Sequence, residues 1–292
     1  MPNFHPALGF YDRFRRALRR KMLEPVMLGI RSFRETILNA LADRKHLVYC
    51  QLPEGNFFVD PSDRVIGSSL MWQGRWQWDE IDEAVRVLTA AGRLKDDSVF
   101  VDVGANIGTQ TVHALRAGPF SRAVAFEPET RNAKLLNMNL AANGMTARVT
   151  VFAKAAGAVD GEAVLYLHPR NKGAHAIDTR PSPDTTKSVV VPVTRLDTAL
   201  RALQMRIEEI GLIWIDVEGA ESEAVAGLGD LVGKIPLAIE YAPERLRSSN
   251  AELRKILQKH YPRMHRLGSE SRGEEPIGNL ASLSGMTDIL FY

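Results

Sequence analysis

A pair of glycines and a set of carboxylates in this chain have the types and spacing to hold a nucleoside and to manage a proton. Gly104 and Gly108 lie in the segment Val101-Asp-Val-Gly-Ala-Asn-Ile-Gly-Thr-Gln-Thr111, and Glu127 closes the next apolar run. A glycine turn after a strand lets a ligand approach the backbone, and a carboxylate one strand away can accept hydrogen bonds from ribose hydroxyls. The spacing is G-x-x-x-G rather than the G-x-G-x-x-G that cradles a pyrophosphate on a helix N-terminus. It therefore suits a ligand without phosphates, such as S-adenosylmethionine. Asp102 is the carboxylate expected toward the ammonium end, with Gly104, Asn106, Gly108, Thr109 and Glu127 completing the cofactor set. Further along, Asp216, Glu218 and Glu240 follow apolar runs in the same way.

The elements that must position these residues read as alternating strands and helices from residue 98 onward. Ser98–Val103, Ala123–Phe126, Arg148–Phe152, Leu212–Val217 and Leu237–Tyr241 are short apolar strands, and Thr109–Arg116 and Thr130–Ala142 are helices, the second stopped by Asn143-Gly144. Glu162–Leu167 and Ser188–Val193 read as extra strands around a polar loop. Ser249–His260 is a further helix, and Thr287–Tyr292 a final strand. The pattern predicts an α/β, doubly wound, mostly parallel sheet. Ligands then bind beyond the carboxyl ends of its strands, where Asp102, Gly104, Glu127, Asp216, Glu218 and Glu240 all fall.

Before this region, residues 51–97 are expected to cover the substrate. Trp72, Trp76 and Trp78 cluster there; such residues stack on sugar rings or line an apolar pocket, and equally anchor a segment to a core. Residues 1–50 read as an N-terminal helical extension. Arg13, Arg15, Arg16, Arg19, Arg20 and Lys21 are interleaved with Phe10, Phe14, Leu18 and Met22 at helical spacing. One reading of that helix is peripheral membrane or acidic-glycan contact. The other is packing on the main domain or on a partner subunit of a homo-oligomer.

With 292 residues, 45% of them hydrophobic, the chain can bury a sizeable core. A net charge of +2 gives no reason to expect nucleic acid as a partner. The single Cys50 rules out an internal disulfide framework and any multi-cysteine zinc site. No apolar run is long enough for a transmembrane helix, and no signal-peptide pattern opens the sequence, so a cytoplasmic protein, with membrane-peripheral contact as the other reading, is expected.

Val101–Thr111, Phe126-Glu127-Pro128, Val191-Pro-Val-Thr-Arg-Leu-Asp197 and Ile215-Asp-Val-Glu-Gly-Ala-Glu221 together resemble the FkbM family of S-adenosylmethionine-dependent methyltransferases. The first block is shared by many class I methyltransferases; the Asp-Val-Glu-Gly-Ala-Glu block is more particular to this family. The resemblance covers roughly residues 55–292. It implies a Rossmann-like, seven-stranded sheet with an antiparallel last strand, and O-methylation, often of sugars or polyketide-type natural products; the expected partner is a small-molecule, sugar or lipid-linked glycan substrate. Two positions depart from the family pattern. Trp214 stands where the family usually has Lys, so a cation near the site is absent or supplied elsewhere. Gly173 is followed by Ala174, His175 and Ala176 instead of small hydroxyl residues.

A sulfonium methyl is already activated, so such an enzyme must align the acceptor oxygen, exclude water and remove a proton. His175, Asp216 and Glu218 are the candidates for that proton, and Glu240 stands behind them with Trp72, Trp76 and Trp78 in the acceptor pocket. No metal is expected, because Asp216 and Glu218 point to opposite faces if they continue a strand. Amino-methylation of a nucleobase would bring an Asn/Asp-Pro-Pro-aromatic block, and carbon-5 pyrimidine methylation a nucleophilic cysteine; neither fits. The reading from another class is a non-catalytic glycan- or membrane-surface-binding protein on the same scaffold, followed by a nicotinamide-dependent oxidoreductase.

Overall fold

The computed structural model describes residues 31–177, 185–246, 250–268 and 273–292. The basic pattern between Phe10 and Met22 lies outside the described residues, as do Ser248, Ser249 and the end of the loop toward Pro183. Packing divides the chain into two compact units. The first comprises residues up to Val48 together with Asp60–Ser62. Its one α-helix among the described residues is α1 (Arg31–Asp43). No helix of the described residues is long and apolar enough to cross a membrane.

The second unit is an α/β fold built on a largely parallel sheet. Its first half runs β3 (Ser98–Val103), β4 (Phe120–Phe126) and β5 (Val149–Phe152), each pairing in parallel with the next. The chain then returns to the other side of β3 with β10 (Ile210–Ile215) and β11 (Leu237–Tyr241). The final strand β14 (Thr287–Phe291) is antiparallel to β11, with Glu240 opposite Asp288. Beyond it lie β12 (Arg263–Arg266) and β13 (Glu274–Pro276), so the sheet has eight strands in the order β13-β12-β14-β11-β10-β3-β4-β5. The expected seven are joined by β13, an edge strand of three residues with none buried, too short and polar to stand out in the sequence.

All residues of β3 and β10 are buried, as a parallel sheet covered on both faces requires. Val99, Val101, Val103, Ile213 and Ile215 share one hydrophobic cluster with Leu253 and Leu257 of the helix Asn250–His260. Strand alternation sends Phe100, Asp102, Trp214 and Glu240 to the opposite face. Trp214 sits in register beside Asp102. Asp102 and Glu240 are the charged exceptions in strands that otherwise carry no charge, and both end up at the carboxyl end of the sheet.

A separate four-stranded sheet follows β5. It has the order β6 (Ala155–Ala156), β9 (Lys187–Thr194), β7 (Gly161–Leu167) and β8 (Ala176–Ile177), and it includes both extra strands expected from the sequence. A hairpin of β1 (Val48–Leu52) and β2 (Gly55–Val59) leads to α2 (Ile66–Trp72) and α3 (Trp78–Ala90). Helix α3 packs on α4 (Thr109–Ala117), which packs on β3 and β4. Helix α5 (Thr130–Ala142) begins where the Glu129 carboxylate accepts the Asn132 backbone N–H at 2.7 Å and ends, as expected, at Asn143 and Gly144.

Candidate active site

The order of strands reverses between β3 and β10, which is where an open α/β sheet forms its ligand crevice. The two strand ends nearly touch. The Asp216 N–H donates to the Val103 carbonyl at 2.9 Å, and a Cβ on Gly104 would stand 1.8 Å from the Asp216 carbonyl oxygen. Gly104 also has φ +90, so both sterics and conformation require glycine there. Gly108 serves a different contact. A Cβ there would press within 2.5 Å of Leu136, so its role is to let α4 approach α5. Gly108 and Thr109 do not line the crevice, and the Thr109 hydroxyl is turned to Gln110.

Two clefts adjoin at this point. The first, of about 500 Å³, is lined by Gly104, Asn106, Phe126, Glu127, Pro128 and Asn132 on the sheet side and by Lys172, Gly173, His175 and Ile177 on the loop side. Glu127 is held rigidly. Its Oε2 accepts the Asn106 N–H at 2.9 Å and its Oε1 the Glu129 N–H at 2.7 Å. Burial nevertheless pushes its carboxyl up to about 8. The Asn132 side chain also hydrogen-bonds this carboxylate, whose four acceptor positions exceed these three donors.

The second cleft, of about 710 Å³, contains Asp102, Trp76, Gln77, Gln110, Trp214 and Glu240. Gly104, Asn106, Gly173, Asp216 and Glu218 line both clefts, so they form the passage between them. Asp102 is buried, receives the Thr111 hydroxyl, and is raised by desolvation to about 6.

The strand preceding Asp216 stops at Ile215, two residues earlier than the sequence pattern suggests. Glu218 has φ +55 and Gly219 φ +105, so the chain folds back at once. Strand alternation no longer applies. Asp216, Glu218 and Glu240 each bring a carboxylate oxygen within 4.8 Å of the others, which corrects the expectation that the first two diverge. Burial, followed by repulsion from Glu240, Glu218, Asp288 and Glu221, raises the Asp216 carboxyl well above its ordinary value. Asp288 is itself pushed to about 7 by burial and by Glu240 and Glu80. Glu221 is buried at the start of the helix Glu221–Ala226 and accepts the Gly219 N–H at 2.9 Å; it bonds the turn before the helix, and no side chain caps the helix.

The loop carrying His175 is fastened across the first cleft. The Lys172 carbonyl accepts the side-chain amides of both Asn106 and Asn132, each at 3.0 Å, and the Arg64 N–H donates to the Arg170 carbonyl at 2.7 Å. His175 Nδ1 accepts the His168 N–H at 3.0 Å, leaving the ring proton on Nε2. Burial, with Lys172 and His168 nearby, lowers its pKa to about 4. At neutral pH the ring is an uncharged hydrogen-bond donor, poorly suited to accept a proton.

The tryptophans separate. Trp76 lines the second cleft. Trp78 is 4% exposed and stacks on His113 at 5.4 Å and on Phe57 at 6.2 Å, so it belongs to the core. Trp72, at the end of α2, lines neither cleft. Asn132, Lys172, Gln77, Gln110 and Asp288 were absent from the expected set. Only Asp288 carried a sequence signal, as a charge inside the apolar final strand; the others reach the clefts through contacts between distant segments.

A model of the methyltransferase FkbM domain matches residues 102–264, more than half of the chain. A 2-O-methyltransferase, NoeI, of Sinorhizobium fredii is 28% identical over 181 residues, covering 56% of this chain and 71% of that protein. Methyltransferase 1 of Beauveria bassiana is 27% identical over 150 residues, 46% of this chain and 60% of its own length. A crystal structure of the methyltransferase FkbM from Methylobacillus flagellatus matches with a TM-score of 0.43 and 21% identity, covering 69% of this chain and 46% of that one. The first cleft suits the cofactor of such enzymes, since a carboxylate fixed at both oxygens by backbone N–H groups stands in it ready for a diol. The chain belongs to the FkbM methyltransferase family and is an S-adenosylmethionine-dependent enzyme.

Proposed function

We propose that the protein O-methylates a hydroxyl of a sugar-like acceptor. The observation that carries this reading is the passage between the clefts, where Asp216 and Glu218 line both the cleft that holds Glu127 and a second, acid-lined cavity. When bound, S-adenosylmethionine supplies a methyl on a positively charged sulfur, open to in-line displacement by an oxygen.

Glu127 holds the ribose diol through the acceptor capacity that its partners leave free. Asp102 faces the ammonium end, and Asn106 fixes both Glu127 and the Lys172 segment above it. Asp216 and Glu218 orient the acceptor hydroxyl and receive its proton, with Glu240 as the third member of the group. His175 donates its Nε2 proton as a neutral hydrogen-bond donor that helps close the site to water. Trp76 offers a flat apolar face for a sugar ring. The 2-O-methyltransferase among the relatives supports oxygen as the acceptor atom.

The test is a methyl-transfer screen with labelled S-adenosylmethionine against sugars, nucleotide sugars, lipid-linked glycans and macrolide-like alcohols. The expected product carries the label on oxygen, with one S-adenosylhomocysteine formed per methyl transferred. Label found on nitrogen or carbon overturns the reading.

A further inference from the structure

Three carboxylates from two strand ends converge on the second cavity. Asp216, Glu218 and Glu240 bring carboxylate oxygens within 4.8 Å of one another. That is about the span of the ligand shell around one cation, since oxygens bound at roughly 2.0–2.4 Å lie no more than about 4–5 Å apart. The groups facing Asp216 most closely in charge are Glu240, Glu218, Asp288 and Glu221, all acids.

A second observation points independently to an occupant. Trp214 is 2% exposed and lines the same cavity, yet its indole N–H finds no acceptor among the described residues. A buried N–H without a partner is costly, and an oxygen carried by something bound in the cavity relieves it. Indole is not a metal ligand, but it donates well to a water or hydroxyl held by one. The cavity thus offers carboxylates for a cation and a donor for the oxygen that the cation would carry.

We propose that Asp216, Glu218 and Glu240 bind one divalent cation of the Mg²⁺ or Mn²⁺ type, with the Trp214 N–H directed at an oxygen in its coordination shell. Hard cations of this kind take carboxylate and water oxygens and keep exchangeable positions. Placed at the passage between the clefts, the ion draws the acceptor hydroxyl onto an open position and makes it more acidic. The hydroxyl proton moves to a carboxylate oxygen of the cluster that does not ligate the ion. The oxygen then forms its bond to the methyl carbon as the carbon–sulfur bond breaks and the thioether leaves. This catalytic use of the ion rests on the O-methylation reading; the binding of the ion does not.

The two can be separated in one set of measurements on the full chain. Free Mn²⁺ is followed by electron paramagnetic resonance during titration of the wild-type protein, Asp216→Asn, Glu240→Gln and, as a control at an exposed acid that does not line the cavity, Asp79→Asn. S-adenosylmethionine binding and thermal melting are measured in parallel to establish that each variant is folded. The expected result is one Mn²⁺ per chain, displaced by Mg²⁺, with affinity at least about tenfold weaker in Asp216→Asn and Glu240→Gln and unchanged in Asp79→Asn. Wild-type protein that binds S-adenosylmethionine but no Mn²⁺ overturns the site, as does Mn²⁺ binding that survives both substitutions. Mn²⁺ binding with methyl transfer to an atom other than oxygen retains the cation site and removes the O-methylation reading.

Discussion

The two clefts are held by different physics. Around Gly104 and Glu127 the backbone does the shaping. A glycine at positive φ lets two strand ends meet, and main-chain N–H groups fix a carboxylate at both oxygens. Around Asp216 and Glu240 the shape comes from side chains, above all from acids packed closer than their charges favour. The first arrangement is rigid and indifferent to the acceptor. The second is defined by charge, so it can select an acceptor and respond to whatever neutralises it.

The largest expected effect is on the backbone side. Gly104→Ala forces a methyl onto the Asp216 carbonyl and strains φ, so it is expected to destabilise the fold by about 3 kcal/mol or more. S-adenosylmethionine binding should disappear with it, read by calorimetry and thermal melting. A variant that melts normally and binds the cofactor would show that the strand ends are not so tightly joined.

The next pair of substitutions separates core from cleft among the tryptophans. Trp78→Ala is expected to cost about 3–5 kcal/mol of stability, because the ring is buried between His113 and Phe57. Trp76→Ala should leave the melting temperature nearly unchanged and raise the acceptor KM by about tenfold. Equal effects on melting would erase the distinction.

That distinction marks where the sequence stops being legible. The strands, the helices that follow them and the Glu127 position could be read because short-range rules set them: apolar runs, a glycine turn, an Asn-Gly stop. Asp216 and Glu218 were placed at the right strand end, but their convergence was not foreseen. It depends on the chain leaving β10 at Ile215 and turning through a positive φ at Glu218, which alternation rules do not anticipate. The tryptophans fared similarly. Trp72, Trp76 and Trp78 look alike in sequence, and only the burial of Trp78 against residues from distant segments separates it from Trp76. The extra edge strand Glu274–Pro276 was hidden because pairing, not composition, defines it.

A smaller effect concerns protons. The Glu127 carboxyl is raised from 4.5 to about 8, so the folded protein holds more protons than the unfolded chain between those values. The stability contribution of this group is complete below pH 4.5 and declines as pH rises through 8. Ribose hydroxyls donating to the ionised form lower its pKa. Cofactor binding at pH 7 should therefore release close to one proton, detected by calorimetry in buffers of different ionisation enthalpy. The release should vanish above about pH 9 and in Glu127→Gln. Asp102, raised only to about 6, is already mostly ionised at pH 7 and contributes little. Smallest of all, His175→Ala should lower turnover by less than about tenfold without moving the pH profile, since the neutral ring donates a hydrogen bond and takes no proton. Loss of the acidic limb of the profile in this variant would return His175 to the role of base.

The most direct measurement compares Glu127→Gln with Asp216→Asn in the same two assays, equilibrium binding of S-adenosylmethionine and single-turnover methyl transfer to an accepted alcohol. The predicted result is a crossed pattern. Glu127→Gln binds the cofactor about tenfold or more weakly but transfers at a nearly normal rate when saturated. Asp216→Asn binds it within a few-fold of normal and transfers about 100-fold or more slowly. Parallel losses of binding and transfer in both variants would contradict a site divided into a backbone-built cofactor half and an acid-built acceptor half.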